Sequence, residues 1–412
     1  MRHLRKTLWV LGLIVVMQLL KIVLDRISPQ ASIFYHNLFS CLQAATLLWL
    51  IISIIMGLVT RKGSAGKLAV KTGLILLLIF AIPEMLITYW LYHSAKIPSS
   101  LTSTFRDYYN GIQRNVIQLN PDCSVYDSNL LYTLKPSSSF VFKNYEFADT
   151  FNTNRMGLRD DDSSLSKPGI ICLGDSHAMG WGVRQEEAFP QLLEKMTGER
   201  VLNAAISSYG TARELKNLYR LDTSALRYII IQYCNNDVTE NADFVKKNFS
   251  LELSSKETYT AICNLHYWNK LWFPGKHFIT MTKMFVSGKM KSVSDQKESV
   301  ENNESGPPDI SLRESASNFI EMLLHSPINF KKVKVLVTDI NERGSMNNDF
   351  LNEVASLAAT PPYKEHFNNH LITIPVTDIL GRDDYYILDS HLRSSGHRKI
   401  AARINNYIQQ NK

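Results

Sequence analysis

The chain has 412 residues, 45% of them hydrophobic, enough for one large domain with attachments. Its formal charge of +7 does not call for a nucleic-acid partner, because basic residues beside apolar spans account for much of the excess and no nucleic-acid motif is visible. The five cysteines form no paired metal-ligand pattern, and the chemistry of the candidate residues requires neither a metal nor an organic cofactor.

Three apolar spans open the chain. Thr7 to Leu24 is interrupted by Lys21, Leu38 to Val59 has no charge, and Leu74 to Leu91 is interrupted by Pro83 and Glu84. The second alone is long enough for a hydrocarbon core of about 30 Å, and the set reads as three transmembrane helices in residues 1–93. The first span lacks a small-residue cleavage site, so it reads as an uncleaved anchor rather than a secretory signal. Arg2, Arg5 and Lys6 precede the first span, and Arg61, Lys62, Lys67 and Lys71 lie between the second and third. Both flanks are therefore expected in the cytoplasm, and everything after about His93 on the periplasmic or extracellular side of a bacterial-type inner membrane. Lys21 and Glu84 fall at similar depth, which makes them candidates for an intramembrane pair; Lys21 reaching the outer interface instead is the alternative.

Residues 94–166 read as an extracytoplasmic lead-in of turns and short strands. From residue 167 the pattern changes to alternating strands and helices. Strands are expected at Ile170 to Leu173, Arg200 to Ile206, Arg227 to Cys234, Lys332 to Ile340 and Leu371 to Val376. Helices are expected at Glu186 to Met196, Ala212 to Leu221 and Ser395 to Gln409. Such alternation predicts an α/β fold with a mostly parallel sheet covered by helices on both faces. An insertion at about 243–310 interrupts it: an aromatic part with Tyr267, Trp268, Trp272 and Phe273, then a polar stretch from Ser292 to Pro308. It reads as a packing excursion with a loose loop or as a cover for the substrate. Cys41 lies in a span, Cys172 and Cys234 in strands, and Cys123 and Cys263 are left as a pair that an oxidising compartment would allow to bridge.

The chemistry gathers at the strand ends. Gly174-Asp175-Ser176-His177 follows the first strand, placing a serine in the crevice where open α/β sheets bind ligands. A serine hydroxyl is a poor nucleophile without a base and an oxyanion site. Asp389 and His391 would project to one side of an extended segment, so the acid can orient an imidazole that activates Ser176. His397, at the start of the last helix, is the rival base and reads as structural. The third strand ends in Asn235 and Asn236, whose amides can donate to an oxyanion; the loop after the second strand, through Ser208 and Gly210, has backbone N–H groups to offer. Taken singly, each of these residues is more often a cap, a turn former or a hydrogen-bonded surface group.

Taken together, these segments resemble the SGNH or GDSL-type serine hydrolase family over about residues 167–412. The resemblance implies a flavodoxin-like SGNH domain with Ser176 as nucleophile, His391 as base, Asp389 as orienting acid, and an oxyanion hole of the Asn236 side chain and the Ser208 N–H, with Gly210 supporting the loop. Asn154 to Arg159, ahead of the serine turn, is similar to membrane-attached bacterial members. Three positions depart from the family pattern: His177 replaces a leucine, Cys234 stands where a glycine often does, and Asp389 lies two rather than three residues before His391. The last spacing is similar to that of sugar O-acetylesterase and O-acetyltransferase relatives. The implied activity is a membrane-anchored extracytoplasmic esterase removing acetyl or short acyl groups from a cell-envelope glycan through an acyl-enzyme. An O-acyltransferase to a glycan hydroxyl, aided by an envelope-assembly partner, and a non-catalytic glycan-binding module are the alternatives.

Overall fold

The structure is a computed structural model, and it describes residues 64–271, 273, 275–286, 310–343, 347–361 and 363–411, together with residues 12 and 16. The expected spans at Thr7 to Leu24, apart from the helical Gly12 and Val16, and at Leu38 to Val59 lie outside the described residues. So do Lys21, Cys41, Trp272 and the polar stretch from Ser292 to Pro308. The chain divides into two compact units, Met1–Tyr108 with Asn264–Val293 and Tyr109–Cys263 with Ser294–Lys412.

In the first unit the third expected span is a single helix, α1 (Ser64–Tyr92), which continues through Pro83. Its segment Lys71–Tyr92 is the one stretch among the described residues long and apolar enough to cross a membrane, with 22 residues and a mean hydropathy of 2.2. Ile75, Leu78, Ile82 and Met85 are exposed along it. Glu84 is buried, and its Oε2 accepts the backbone N–H of Phe278 at 2.8 Å, in the first turn of the helix Lys276–Val286. A carboxylate at a helix N-terminus satisfies otherwise orphaned donors. The insertion thus contains helices, Lys256–Lys270 and Lys276–Val286, where aromatic bulk was legible but periodicity was not.

The second unit begins with two antiparallel hairpins, β1 (Ser124–Asp127) with β2 (Leu131–Leu134) and β3 (Ser139–Lys143) with β4 (Ala148–Asn152). The α/β layer follows: β5 (Ile170–Leu173), α2 (Ser176–Met179), α3 (Phe189–Thr197), β6 (Val201–Asn203), α4 (Thr211–Leu218), β7 (Tyr228–Tyr233), α5 (Asp237–Lys246), α6 (Leu312–Leu324), β8 (Lys334–Asp339), α7 (Asp349–Ala358), β9 (Leu371–Thr373) and α8 (Ser394–Gln410). The five strands pair in parallel in the order β6-β5-β7-β8-β9. Numbered along the chain this is the 2-1-3-4-5 order of flavodoxin-like sheets, whose switch point lies between the first and third strands, here β5 and β7. The second strand is shorter than its apolar run suggested: pairing with β5 stops at Asn203, and the chain then turns into the loop before α4.

Alternation along the strands divides the core in two. Ile171, Leu173, Ile229, Ile231, Val335 and Val337 pack on one face with Leu215 of α4, Phe319 of α6 and Val354 of α7. Ile170, Cys172, Ile230 and Leu336 pack on the other with Leu193 of α3, Ile400 and Ile404 of α8, and Phe142 and Phe151 of the second hairpin. Strands buried on both faces read as unbroken apolar runs, which is why they were legible. Cys123 and Cys263 are free, buried thiols in opposite core clusters, so the bridge left open by their spacing does not form.

Candidate active site

The turn after β5 is built to hold one conformation. Gly174 has φ +152°, and a Cβ there would come within 2.6 Å of Ala178 Cβ and 2.7 Å of Gln232 Oε1. That oxygen, from the neighbouring strand β7, accepts the N–H groups of Asp175 and Ala178, each at 3.1 Å. Asp175 in turn caps α2 by accepting His177 N–H at 2.8 Å. Ser176 therefore opens a helix at the sheet's switch point, largely buried. The far end of α2 is clamped by Arg159, the last residue of the lead-in motif. Its guanidinium is fully buried, lies 3.6 Å above the Phe151 ring, and donates to the carbonyls of Gly180, Met179 (3.3 Å) and Val183 (2.7 Å).

Ser176 Oγ lies 2.7 Å from His391 Nε2, and His391 Nδ1 is hydrogen-bonded to Asp389 Oδ1. The acid and base do meet, though by a different local geometry from the extended one expected. Asp389 Oδ1 also accepts the backbone N–H of His391 at 3.2 Å, so the pair closes a tight turn. Glu146, from the loop joining β3 and β4, holds that turn by accepting the N–H groups of Ile387 (3.0 Å), Leu388 (2.8 Å) and Asp389 (2.7 Å). Burial by itself would raise the Asp389 pKa. The charge and hydrogen bond of His391, then Arg114 and the Tyr109 hydroxyl, outweigh it and hold the carboxyl well below the usual range. Burial pushes His391 below the ordinary histidine value of 6.5, against the pull of Asp389. The imidazole is thus neutral near pH 7, with Nδ1–H on the acid and a free lone pair on Nε2 toward the serine.

Aromatic rings pack around the Asp389 and His391 pair. Trp181 stacks on His391 with ring centroids 4.7 Å apart and donates its indole N–H to Asp389 Oδ2 at 3.1 Å. His177 is buried with its ring 4.8 Å from that of His391. His397 stands apart: its Nδ1 accepts the N–H of Phe189 at 3.2 Å, and burial, then Arg159 and His391, drive its pKa down to about 3. A ring that accepts a backbone N–H inside the core is a packing element.

The expected oxyanion donors sit on loops after β6 and β7, on either side of β5, but the described contacts do not bring them to Ser176. Ser208 is exposed at φ +59°, the left-handed region that favours glycine. Gln118 fixes it, donating to Ser208 Oγ at 2.7 Å and accepting from Ser207 Oγ at 3.1 Å. Gly210 precedes α4, and a Cβ there would come within 3.0 Å of the Glu240 carboxylate. Asn236 is exposed at the start of α5, on a loop anchored by Asn235 N–H to Asn341 Oδ1 at 2.7 Å. Cys234 is buried there without needing a glycine's freedom. Sequence reasoning did not find Tyr109, Glu146, Trp181 or Gln232. Trp181 and Gln232 carried a signal, by proximity to Ser176 and to the strand end at Asn235 and Asn236; Tyr109 and Glu146 lie in segments with no motif.

No protein-family model and no curated protein matches the chain. Among solved structures, it is similar to a candidate platelet activating factor from Streptococcus pneumonia, at 16% identity over 60% of this chain and 86% of that one, with a TM-score of 0.33. It is also similar to a candidate G-D-S-L family lipolytic protein from Desulfitobacterium hafniense DCB-2, at 10% identity over 57% and 97%, with a TM-score of 0.29. A third is a candidate GDSL-like lipase from Bacteroides ovatus, at 12% identity over 77% and 88%, with a TM-score of 0.32.

Proposed function

We propose that this chain is an SGNH-type serine esterase that works through an acyl-enzyme. The observation behind this reading is the chain of contacts from Ser176 Oγ to His391 Nε2 and from His391 Nδ1 to Asp389, at the switch point of a 2-1-3-4-5 sheet. His391 takes the hydroxyl proton as Ser176 Oγ bonds to the ester carbonyl carbon. The oxyanion is received by the Asn236 amide and the Ser208 N–H. Collapse expels the alcohol, which leaves with the proton from His391. Water, deprotonated by the same imidazole, then releases the acid and restores the serine.

The substrate we propose is an acetyl or short-acyl ester of a cell-envelope glycan. The two-residue spacing of Asp389 and His391 supports it, as does the anchored topology read from the three spans, with the catalytic unit outside the cytoplasm. Residues Lys71–Tyr92 of α1, apolar and exposed, are consistent with one of those spans.

Labelling with a serine-reactive phosphonate tests the reading: the full-length protein should be modified at Ser176, and Ser176→Ala should not be. A folded, accessible protein that does not label supports the glycan-binding alternative. Supplying an activated acetyl ester with glycan decides the fate of the acyl group, since preferential transfer to glycan over water would make the protein an acyltransferase.

A further inference from the structure

The two oxygens of Asp389 are both fully engaged, and the second has nothing to do with His391. Oδ1 accepts from the His391 ring and from its backbone N–H. Oδ2 accepts the hydroxyl of Tyr109 at 2.6 Å and the indole N–H of Trp181 at 3.1 Å. Asp389 and Tyr109 are 0% exposed and Trp181 2%, so no bulk water competes for these bonds. Tyr109 opens a π-helical turn, Tyr109–Gln113, and the next residue of that turn, Asn110, donates its amide to Leu388 O at 3.1 Å. One short segment therefore grips both the carboxylate and the backbone just before it. Such π-turns recur at functional sites, where they re-aim side chains.

We propose that Tyr109, with Trp181, is a positioning residue that holds Asp389 as an oriented, weakly basic carboxylate and so keeps the His391 proton on Nδ1. Two neutral donors on Oδ2 draw charge away from Oδ1 and prevent the carboxylate from rotating. The proton then stays with the imidazole, and Nε2 keeps the lone pair that faces Ser176. Burial, then the charge of Asp389, raise the phenol pKa of Tyr109 well above 10.0, so the hydroxyl remains a donor throughout the working range. Removing one donor makes Asp389 a stronger base. That strengthens its hold on the His391 proton and makes the imidazolium easier to form, which moves the His391 titration upward.

This inference rests on the serine-hydrolase reading, and the experiment separates the two. Full-length protein with 15N-labelled histidine is titrated by NMR, His391 being identified by the signal lost in His391→Gln, and ester turnover is measured on the same samples. Tyr109→Phe should raise the His391 pKa by about half a unit or more. It should move the acid limb of kcat/KM the same way and lower kcat by about 10-fold, with little change in KM. Trp181→Phe, which keeps a ring beside His391, should shift the titration in the same direction, and it decides the matter if Tyr109→Phe does not fold. A folded variant with a wild-type titration and pH profile overturns the positioning role. A moved titration in a protein that neither labels at Ser176 nor turns over ester upholds the positioning role and overturns the hydrolase reading.

Discussion

Ser176 Oγ and His391 Nε2 stand 2.7 Å apart although 215 positions separate them in the chain. His397, six residues further on, instead accepts the N–H of Phe189 in the core. The two histidines should therefore fail in different ways. His391→Ala is expected to lower ester turnover by on the order of 10^4-fold in a protein that still folds, with some loss of stability because the buried Asp389 loses its main partner. His397→Ala should retain most of its turnover but lose about 1–3 kcal/mol of stability, because a buried N–H is left without its acceptor. Steady-state kinetics and thermal melts on both variants check this; equal catalytic losses at equal stability would refute the assignment of the base.

Asn236 is exposed, and the oxyanion role proposed for it would act only as charge develops on the substrate. Asn236→Ala should lower kcat by about 100- to 1000-fold and leave KM nearly unchanged. Weaker substrate binding with an unchanged kcat would remove Asn236 from the oxyanion hole.

Gly174 is required because a Cβ there would run into Ala178 and Gln232. In Gly174→Ala the new methyl must displace the Gln232 amide that holds the N–H groups of Asp175 and Ala178, at a cost of about 1–3 kcal/mol. Turnover should fall with stability, since the same displacement shifts Ser176. A variant as stable and active as wild type would show that the turn tolerates another path.

Glu214 lies on α4, 1% exposed, and neither carboxyl oxygen has a hydrogen-bond partner. Burial, then the charges of Asp237, Asp175 and Glu240, raise its pKa well above 4.5. The unfolded chain gives up this proton near 4.5 while the folded protein keeps it, so the folded state binds more protons over that interval. The stability it contributes is complete below the unfolded value and is lost as pH rises toward the folded one. Glu214→Gln removes that dependence, so its melting temperature relative to wild type should climb steadily from pH 5 upward. A constant difference across that range would contradict the linkage.

Much of this molecule was legible because it is local. Ile170 to Leu173 and Tyr228 to Tyr233 are buried on both faces, and such strands announce themselves as apolar runs bounded by turns. The serine turn, and the Asp389 and His391 pair two residues apart, are likewise short-range patterns. Strand ends were less legible: the run to Ile206 continues past the last pair at Asn203, because apolar residues also line the loop that leaves the sheet. What tertiary structure alone decided is which distant groups meet. Strand order places Gln232 of β7 beside the serine turn, packing brings Arg159 under α2, and the hairpin loop delivers Glu146 to the backbone at Asp389. Tyr109 reaches the same carboxylate from 280 residues away. Periodicity records which side of a strand or helix is buried; it holds no information on what is waiting there. That is set by the register and order of the sheet, which are properties of the whole chain.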